Sequence, residues 1–241
     1  KQLGKMLKPI MIRRLKKDVL PDLPDKIYKT IYVELSPAQR RAYDEMMEFM
    51  ITQVEDGTII TAQSVMAKLV RLKQISVSLG LIGEETTDSS KLDAVMELIA
   101  GAGDSKLVIF SQFERAIRLL GARLQAAGVS HTCLTGKRTY VTDPKNKVTR
   151  GEAVKQFRKS KGPQVFIGTI QAGGVGLNLQ VASTVIFLDK LWTPAMNSQA
   201  EDRLHRIGQK NSVYVVSIIA KDTIEEYIER VLSDKQVMVD M

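Results

Sequence analysis

The sequence predicts an α/β protein in which a parallel sheet lies between two layers of helices. Beyond residue 105, short and continuously apolar segments such as Leu107–Phe110 alternate with segments of helical periodicity. Apolar segments that lack an in–out alternation are typical of strands covered on both faces. Strands that alternate with helices form parallel sheets. The 241 residues, of which 44% are hydrophobic, suffice for one large domain or two small ones.

The first hundred residues show helical periodicity instead. Ser36–Gln39 has the pattern of a capping box with proline at the first helical position. An apolar face follows, formed by Tyr43, Met46, Met47, Met50 and Val54. A second periodic segment runs over 65–79, and a third helix begins at Ser90. We therefore expect a basic N-terminal segment at 1–35 and a helical subdomain at 36–100.

The remaining residues predict the sheet-containing domain, 101–222. Strands are expected near 107–110, 130–134, 165–169, 185–188 and 213–220, and helices near 114–127, 149–159 and 195–205. Thr223–Glu226 is a second capping box and begins the last helix, 223–241. Its apolar stripe predicts that this C-terminal helix docks on the body of the protein.

Composition argues against several classes of protein. Cys133 is the only cysteine, and the two histidines are far apart, so neither a disulfide framework nor a metal site is predicted. The apolar runs are far shorter than the roughly 20 residues of a membrane helix, and the lysine-rich N-terminus is not of the signal type. We expect a soluble protein of a reducing compartment, inside the cell and without a membrane partner.

The positive charge is concentrated in two segments. The formal net charge is +8, yet residues 1–41 carry eleven Lys/Arg against four Asp/Glu, and residues 137–161 carry nine against two. Two basic segments on a slightly acidic body indicate a polyanionic partner such as nucleic acid. The alternative is an ordinary solvated surface.

A glycine-rich segment follows the apolar strand at 165–169 and contains Gly173, Gly174 and Gly176. Such a turn allows backbone N–H groups to approach a phosphate closely. A dinucleotide fold is the alternative, with Asp189 as the ribose carboxylate. Leu179 stands in place of the third glycine of that fingerprint, and the spacing to the next strand is too short for a crossover helix.

Two arginines, Arg203 and Arg206, lie three residues apart in the helix expected at 195–205. At this spacing they share a helix face and can converge on one anion, and the guanidinium fork suits phosphate oxygens. Gln199, one turn earlier, can join that face. The alternative is a solvated arginine pair.

Several spaced motifs resemble one family. Gln199–Gln209, Thr169–Leu179 and Lys106–Phe113 are similar to motifs VI, V and IV of the C-terminal RecA-like lobe of Swi/Snf-type helicase-like ATPases of superfamily two. Upstream, Arg13–Leu20 with Leu23-Pro24, and the helix start at Leu35–Pro37, are similar to the segment that enters this lobe. The resemblance spans nearly the whole chain.

In that family ATP binds between two RecA-like lobes, and double-stranded DNA crosses both. The resemblance implies that Arg203 and Arg206 are arginine fingers that reach the γ-phosphate. It further implies that Gln199, Gly173, Gly174 and Gly176 support the nucleotide. On the DNA side, Ser111, Gln112 and Thr169 would face phosphates and Trp192 the minor groove.

The sequence departs from the family pattern in two respects. It contains neither a Gly-x-x-x-x-Gly-Lys-Ser/Thr segment nor an Asp-Glu pair of the Walker B kind that follows a strand. We therefore expect ATP and Mg²⁺ to be held mainly by the N-terminal lobe of the same protein, and the isolated chain to be inactive. Second, Leu134-Thr135-Gly136 precedes a basic insertion, 137–150, in place of a shorter spacing to an arginine. We expect an exposed loop that binds DNA through Lys137, Arg138, Lys145 and Lys147.

The expected function is that of one lobe of an ATP-dependent double-stranded DNA translocase or chromatin-remodelling-type ATPase. Two alternatives are an RNA-directed helicase lobe of the same superfamily and a non-catalytic nucleic-acid-binding module with the same fold. Loss of either arginine would favour the non-catalytic module, and both arginines are present. Whether a protein on the DNA is a further target is left open.

Overall fold

The structure is a computed structural model and describes residues 20, 22–55, 62–86, 88–162, 164–173 and 176–240. Seven strands form one sheet: β1 (Lys26–Val33), β2 (Leu107–Ser111), β3 (His131–Leu134), β4 (Thr139–Val141), β5 (Val165–Thr169), β6 (Thr184–Phe187) and β7 (Val213–Ala220). Their order is β1-β7-β6-β2-β5-β3-β4. Every neighbouring pair is parallel except β3 and β4. The sheet is therefore mixed but mostly parallel.

Eight helices flank the sheet in the part of the chain that the structure describes. They are α1 (Pro37–Glu55), α2 (Ala62–Val77), α3 (Ser90–Gly101), α4 (Glu114–Ala126), α5 (Arg150–Arg158), α6 (Ile170–Gly173), α7 (Pro194–Glu201) and α8 (Ile224–Asp240), and a 3₁₀ turn spans Leu79–Ile82. The predicted fold class is confirmed: helices cover a mostly parallel sheet, a helical portion precedes it, and a helix follows the last strand.

The hydrophobic core lies on both faces of the sheet. One buried cluster packs α3 and α4 against one face, and a second packs α5 and α7 against the other. All residues of β2 and β5 are buried, which explains why these strands read as continuous apolar segments. A third cluster joins α1 to α2, and it includes Leu72, Ile75 and Ala220.

Two strands at the edges of the sheet were not predicted. In β1 most side chains are exposed or half-buried, and lysines and tyrosines alternate with aliphatic residues, so the segment lacks an apolar run. This strand belongs to the expected basic N-terminal segment, of which residues 1–19 and 21 lie outside the described residues.

The other unpredicted strand, β4, lies within the basic insertion. It pairs with β3 and buries Tyr140, whose ring meets that of His131 edge to face at 5.7 Å. The expectation of an exposed loop is wrong for 139–141, because the insertion supplies the last strand of the sheet.

Candidate functional site

The residues with expected functions lie at the carboxyl edge of the sheet. Ser111 ends β2, Thr169 ends β5, and the two are partners in the parallel register. Asp189 lies two residues beyond the end of β6. Ligands of open α/β sheets bind outside the carboxyl ends of the strands, at a point where the strand order reverses. The order places β5 and β6 on opposite sides of β2, so this edge is where a ligand is expected.

Arg203 and Arg206 do not lie on a helix, and the prediction of a helix to residue 205 is wrong beyond Glu201. The chain leaves α7 in a series of turns that bury Leu204. The Arg203 carbonyl accepts a hydrogen bond from Leu179 N at 3.0 Å. The Arg206 guanidinium donates to the Leu177 carbonyl at 3.2 Å. Contacts with the segment 177–179, rather than helical spacing, orient these two arginines.

The position of the end of α7 is fixed from β1. Glu201 accepts hydrogen bonds from Lys26 Nζ at 2.8 Å and from the Tyr28 hydroxyl at 3.0 Å. Burial and the Glu201 carboxylate together raise the pKa of Tyr28 to about 12. An edge strand that the sequence analysis missed therefore anchors the segment that carries Arg203 and Arg206.

A third arginine joins these two. Arg150, the first residue of α5, donates to the carbonyl of Ala172. Partial burial lowers the pKa of Arg203, the positive charges of Arg206 and Arg150 lower it further, and Asp202 acts in the opposite direction. Arg150, Arg203 and Arg206 thus form an arginine cluster beside Ala172 and Leu177. The sequence analysis treated Arg150 only as the end of the insertion. The capping box that Thr149 forms with Glu152 is the signal that places Arg150 at a helix start.

The predicted glycines lie beside this cluster, with one exception. Gly173 ends the single-turn helix α6, and Gly176 is exposed with a φ of 66°, which favours glycine. Gly174 lies outside the described residues. Gln199 is exposed on α7, which contacts α6. The structure thus brings Gly173, Gly176 and both predicted arginines to one region of the edge.

Gln209 connects the segment after α7 to the segment after β5 by side-chain hydrogen bonds. This role was not expected from the sequence. Its buried amide nitrogen donates to the carbonyls of Gln180 at 3.1 Å and Ala182 at 3.0 Å. Its oxygen accepts from the backbone nitrogens of Lys210 and Asn211. Gln209 ends the motif VI-like run, so the motif itself was the available signal.

The expected role of Ser111 requires correction. Ser111 is fully buried, and its hydroxyl donates to Asp189 Oδ1. Gln112 N donates to the other carboxylate oxygen at 3.1 Å. Ser111 therefore holds Asp189 in place instead of facing a phosphate. The same bonds occupy the carboxylate that the dinucleotide alternative would need for a ribose.

The other expected DNA contacts remain partly accessible. Gln112 is half-buried, and within the described ranges its side-chain nitrogen has no hydrogen-bond partner. Thr169 is 6% exposed, and its hydroxyl accepts from Ala172 N at 3.4 Å. Trp192 is half-buried in the segment after β6.

The four residues of the insertion that are expected to bind DNA are all exposed but are not brought together. Lys137 and Arg138 lie in the turn between β3 and β4, where their backbone nitrogens donate to the Thr135 hydroxyl at 3.3 and 3.0 Å. Lys145 lies in the turn after β4, and Lys147 forms an antiparallel bridge with Tyr140. The hairpin therefore places Lys137 and Arg138 at the carboxyl edge and Lys145 at its other end.

The described residues show neither a cluster of metal ligands nor a membrane-spanning helix. They contain no group of three or more His, Cys, Asp or Glu side chains able to hold a metal ion. No described helix is long and apolar enough to cross a membrane.

Comparisons with known proteins agree with the fold and the motifs. Residues 90–208 match the family model of the helicase conserved C-terminal domain, and residues 1–81 match that of the SNF2-related domain. An uncharacterized ATP-dependent helicase of Mycoplasma genitalium is 34% identical over 99% of this chain and 23% of its own length. The nuclear protein STH1/NPS1 of Saccharomyces cerevisiae is 31% identical over 95% of this chain and 18% of its own length. The chain thus spans less than a quarter of the length of either relative.

A comparison with a solved structure agrees with the family models and the relatives. The Sulfolobus solfataricus SWI2/SNF2 ATPase core in complex with dsDNA is 26% identical to this chain. The two superpose with a TM-score of 0.72 over 98% of this chain and 50% of that one. The chain belongs to the Swi/Snf family of helicase-like ATPases, and its fold is that of the C-terminal RecA-like lobe.

Proposed function

We propose that this chain is the lobe of an ATP-dependent double-stranded DNA translocase that supplies the arginine fingers and one wall of the DNA groove. The arginine cluster is the observation that carries the proposal. Arg150 donates to the Ala172 carbonyl and Arg206 to the Leu177 carbonyl at the carboxyl edge of the sheet, and Arg203 lies within electrostatic range of both arginines.

The cluster fits the phosphates of a nucleotide. Burial lowers the pKa of Arg203, and the charges of Arg206 and Arg150 lower it further. A bound anion would relieve the repulsion between these charges. Arginine stays cationic at neutral pH, and its planar fork matches phosphate oxygens. ATP, with Mg²⁺ held mainly by the N-terminal lobe, would supply the phosphoryl group and its charge. Arg203 and Arg206 would stabilise the charge that develops on this group, an effect worth roughly 10³–10⁵ in rate.

The DNA side of the proposal rests on residues of the same edge. Gln112, Thr169 and Trp192 follow or end the central strands, and Lys137 with Arg138 extends the surface beyond β3. The solved relative in complex with dsDNA supports duplex DNA as the ligand. We place the protein with the DNA inside the cell, and a protein target bound to that DNA would be a further partner.

Substitution of the two arginines in the full-length enzyme tests the proposal. Arg203→Ala and Arg206→Ala are each expected to lower DNA-stimulated ATP turnover by roughly 10³-fold or more. DNA affinity should stay close to that of the wild type, because charge supplied at the transition state acts on rate more than on ground-state binding. Arg158→Ala, in the exposed last turn of α5, is the matched control. Turnover within threefold of wild type in both arginine variants would refute the proposal.

The nucleic-acid class needs its own measurement. ATP turnover of the full-length enzyme is expected to rise with duplex DNA and to rise less with RNA of the same length and salt concentration. Equal or greater stimulation by RNA would instead support the RNA-directed alternative.

A further inference from the structure

The segment that carries Trp192 is held by two buried lysines from the helical subdomain. Lys73 of α2 is 1% exposed, and its ammonium group donates to the Lys190 carbonyl at 2.6 Å. Lys91 of α3 is fully buried, and its ammonium group donates to the Leu188 carbonyl at 2.6 Å. The backbone on both sides of Asp189 is therefore fixed by charged donors.

The two lysines differ in how their charge is compensated. Lys91 forms a salt bridge with the buried Glu225 of α8. For Lys73 no carboxylate lies within salt-bridge distance among the described residues. Burial lowers the pKa of Lys73, while Asp189 and Glu225 act in the opposite direction. Buried lysines without an ion pair are rare because their desolvation is costly, so the position of this ammonium calls for a role beyond packing.

The neighbour of Lys73 indicates that role. Its nitrogen lies 5.9 Å from the centroid of the Trp192 ring, within the range of a cation–π interaction. One ammonium group thus contacts both the backbone of Lys190 and the indole two residues later. The Lys190 side chain is also held, by Glu229 of α8 at 2.7 Å. Trp192 itself remains half-buried, so one part of its ring is open to a ligand.

We propose that Lys73 is a positioning residue that holds Trp192 toward the DNA and thereby links ATP turnover to movement along it. The proposal rests on the proposed function, in which Trp192 contacts DNA. Lys73 touches neither the nucleotide nor the DNA in this scheme. It acts through the Lys190 carbonyl and the indole ring, and it connects the helical subdomain to the DNA-facing edge.

The single tryptophan allows a direct test on the 241-residue chain. In Lys73→Met, the emission of Trp192 is expected to shift and its quenching by acrylamide to increase, because the ring loses its cation and its backbone support. Lys68→Met is the matched control: Lys68 is also on α2 and lies over an aromatic ring, that of Phe49, at 5.3 Å. Circular dichroism verifies that each variant is folded. If the folded Lys73→Met chain had wild-type emission and quenching, the proposal would be overturned.

A second variant keeps the test decisive if Lys73→Met does not fold. Lys73→Gln retains a hydrogen-bond donor but lacks the charge. Its quenching constant is expected to exceed that of the wild type, and a folded Lys73→Gln chain with unchanged quenching would also overturn the proposal.

Coupling is measured in the full-length enzyme. Lys73→Met is expected to lower the distance moved per ATP by roughly two- to thirtyfold, as substitutions of residues that contact neither ligand change coupling. Basal ATP turnover should change little. Lys73→Arg should restore part of the loss. In a Trp192→Ala background the same Lys73 substitution should have no further effect on coupling. An undiminished loss in that background would show that Lys73 does not act through Trp192.

Failure of the proposed function is distinguishable from failure of this inference. If Trp192→Ala left movement per ATP unchanged, the DNA role of Trp192 would be wrong. The fluorescence of Lys73→Met would still report whether the lysine positions the ring.

Discussion

Arg150 shows how much a single side chain adds to the site. It contributes positive charge to the arginine cluster and holds the Ala172 carbonyl. In the full-length enzyme, Arg150→Ala is expected to lower ATP turnover by roughly tenfold, less than the loss of a donor that contacts the transition state directly. Arg150→Lys should not restore it, because an ammonium group lacks the planar fork.

The comparison with Arg158→Ala identifies the cause. Arg158 lies on the same helix but in its last turn, where it is exposed. If removing either arginine had the same effect on turnover, the contribution of Arg150 would be a general effect of charge and not of its place in the cluster.

His131 predicts a dependence of stability on pH. The ring is fully buried, its Nδ1 lies 3.0 Å from the Val129 carbonyl, and its Nε2 has no partner among the residues described. Burial lowers its pKa below the ordinary 6.5, and the Val129 carbonyl opposes this. The unfolded chain then binds more protons than the folded chain, so the stabilisation is complete above pH 6.5 and is lost as the pH falls toward the lowered pKa.

Chemical denaturation at a series of pH values measures this effect. The free energy of unfolding should fall between pH 7 and pH 5, by at most about 1.4 kcal/mol for each unit of pKa shift. His131→Leu should flatten this slope. The control is Thr132→Val, which removes a neighbouring buried hydroxyl that does not titrate. A slope that His131→Leu leaves unchanged would assign the effect to other groups.

The hairpin in the basic insertion separates the four side chains that are expected to bind DNA. Lys137 and Arg138 lie at the carboxyl edge with the other expected DNA contacts, whereas Lys145 lies beyond β4. Replacing Lys137 and Arg138 with Ala should flatten the slope of log affinity against log salt by roughly 1.8 if each contacts one phosphate. The pair Lys145→Ala and Lys147→Ala should change the slope less. Equal changes in both double variants would place the DNA along the whole hairpin.

The elements differ in how well the sequence reveals them. The strands β2, β5, β6 and β7 were predicted because most of their residues are buried and apolar. In contrast, β1 and β4 lie at the edges of the sheet. Lysines and a threonine interrupt the apolar residues of the largely exposed β1, and β4 has only three residues. The end of α7 was missed because the sequence pattern after Glu201 is still typical of a helix. In the structure the backbone of Arg203 instead bonds to Leu179, and the chain leaves the helix.

Residues of the candidate site could be predicted from the sequence only where they belong to a recognisable motif. Arg203 and Arg206 were identified from their motif, yet their geometry depends on carbonyl contacts that spacing does not reveal. Lys73 and Arg150 were missed because each acts on a segment far away in the chain, at Lys190 and Ala172. Ser111 was assigned to DNA from the motif, but its burial depends on Asp189, nearly eighty residues later.

The proposed function assigns the residues that hold ATP and Mg²⁺ mainly to the N-terminal lobe, and this proposal predicts the behaviour of the 241-residue chain in isolation. The purified 241-residue chain is expected to fold, to hydrolyse no ATP above background and to bind nucleotide weakly. The reason is that arginine fingers act on a phosphate that other residues must hold. DNA binding should persist in a weaker form that decreases with salt.

These expectations are tested by measuring ATP turnover and DNA affinity of the 241-residue chain. Each measurement is made with and without a separately produced N-terminal lobe. Mixing should restore little activity, because untethered lobes lack the effective concentration of a linked pair. Strong DNA-stimulated turnover by the chain alone, abolished by Arg206→Ala, would place the whole nucleotide site within it.

The pairing of β1 with β7 has a consequence for biosynthesis. Residues 26–33 lie in parallel register with residues 213–220, and Lys26 also binds Glu201. A ribosome must therefore make residues 34–212 before β1 can pair with β7, and closing so large a loop is slow. Until then β1 has no partner strand, and its alternating aliphatic and aromatic residues are open to chaperones or to strands of other nascent chains. Although β1 is synthesised before the other strands of the sheet, it is thus one of the last to be paired.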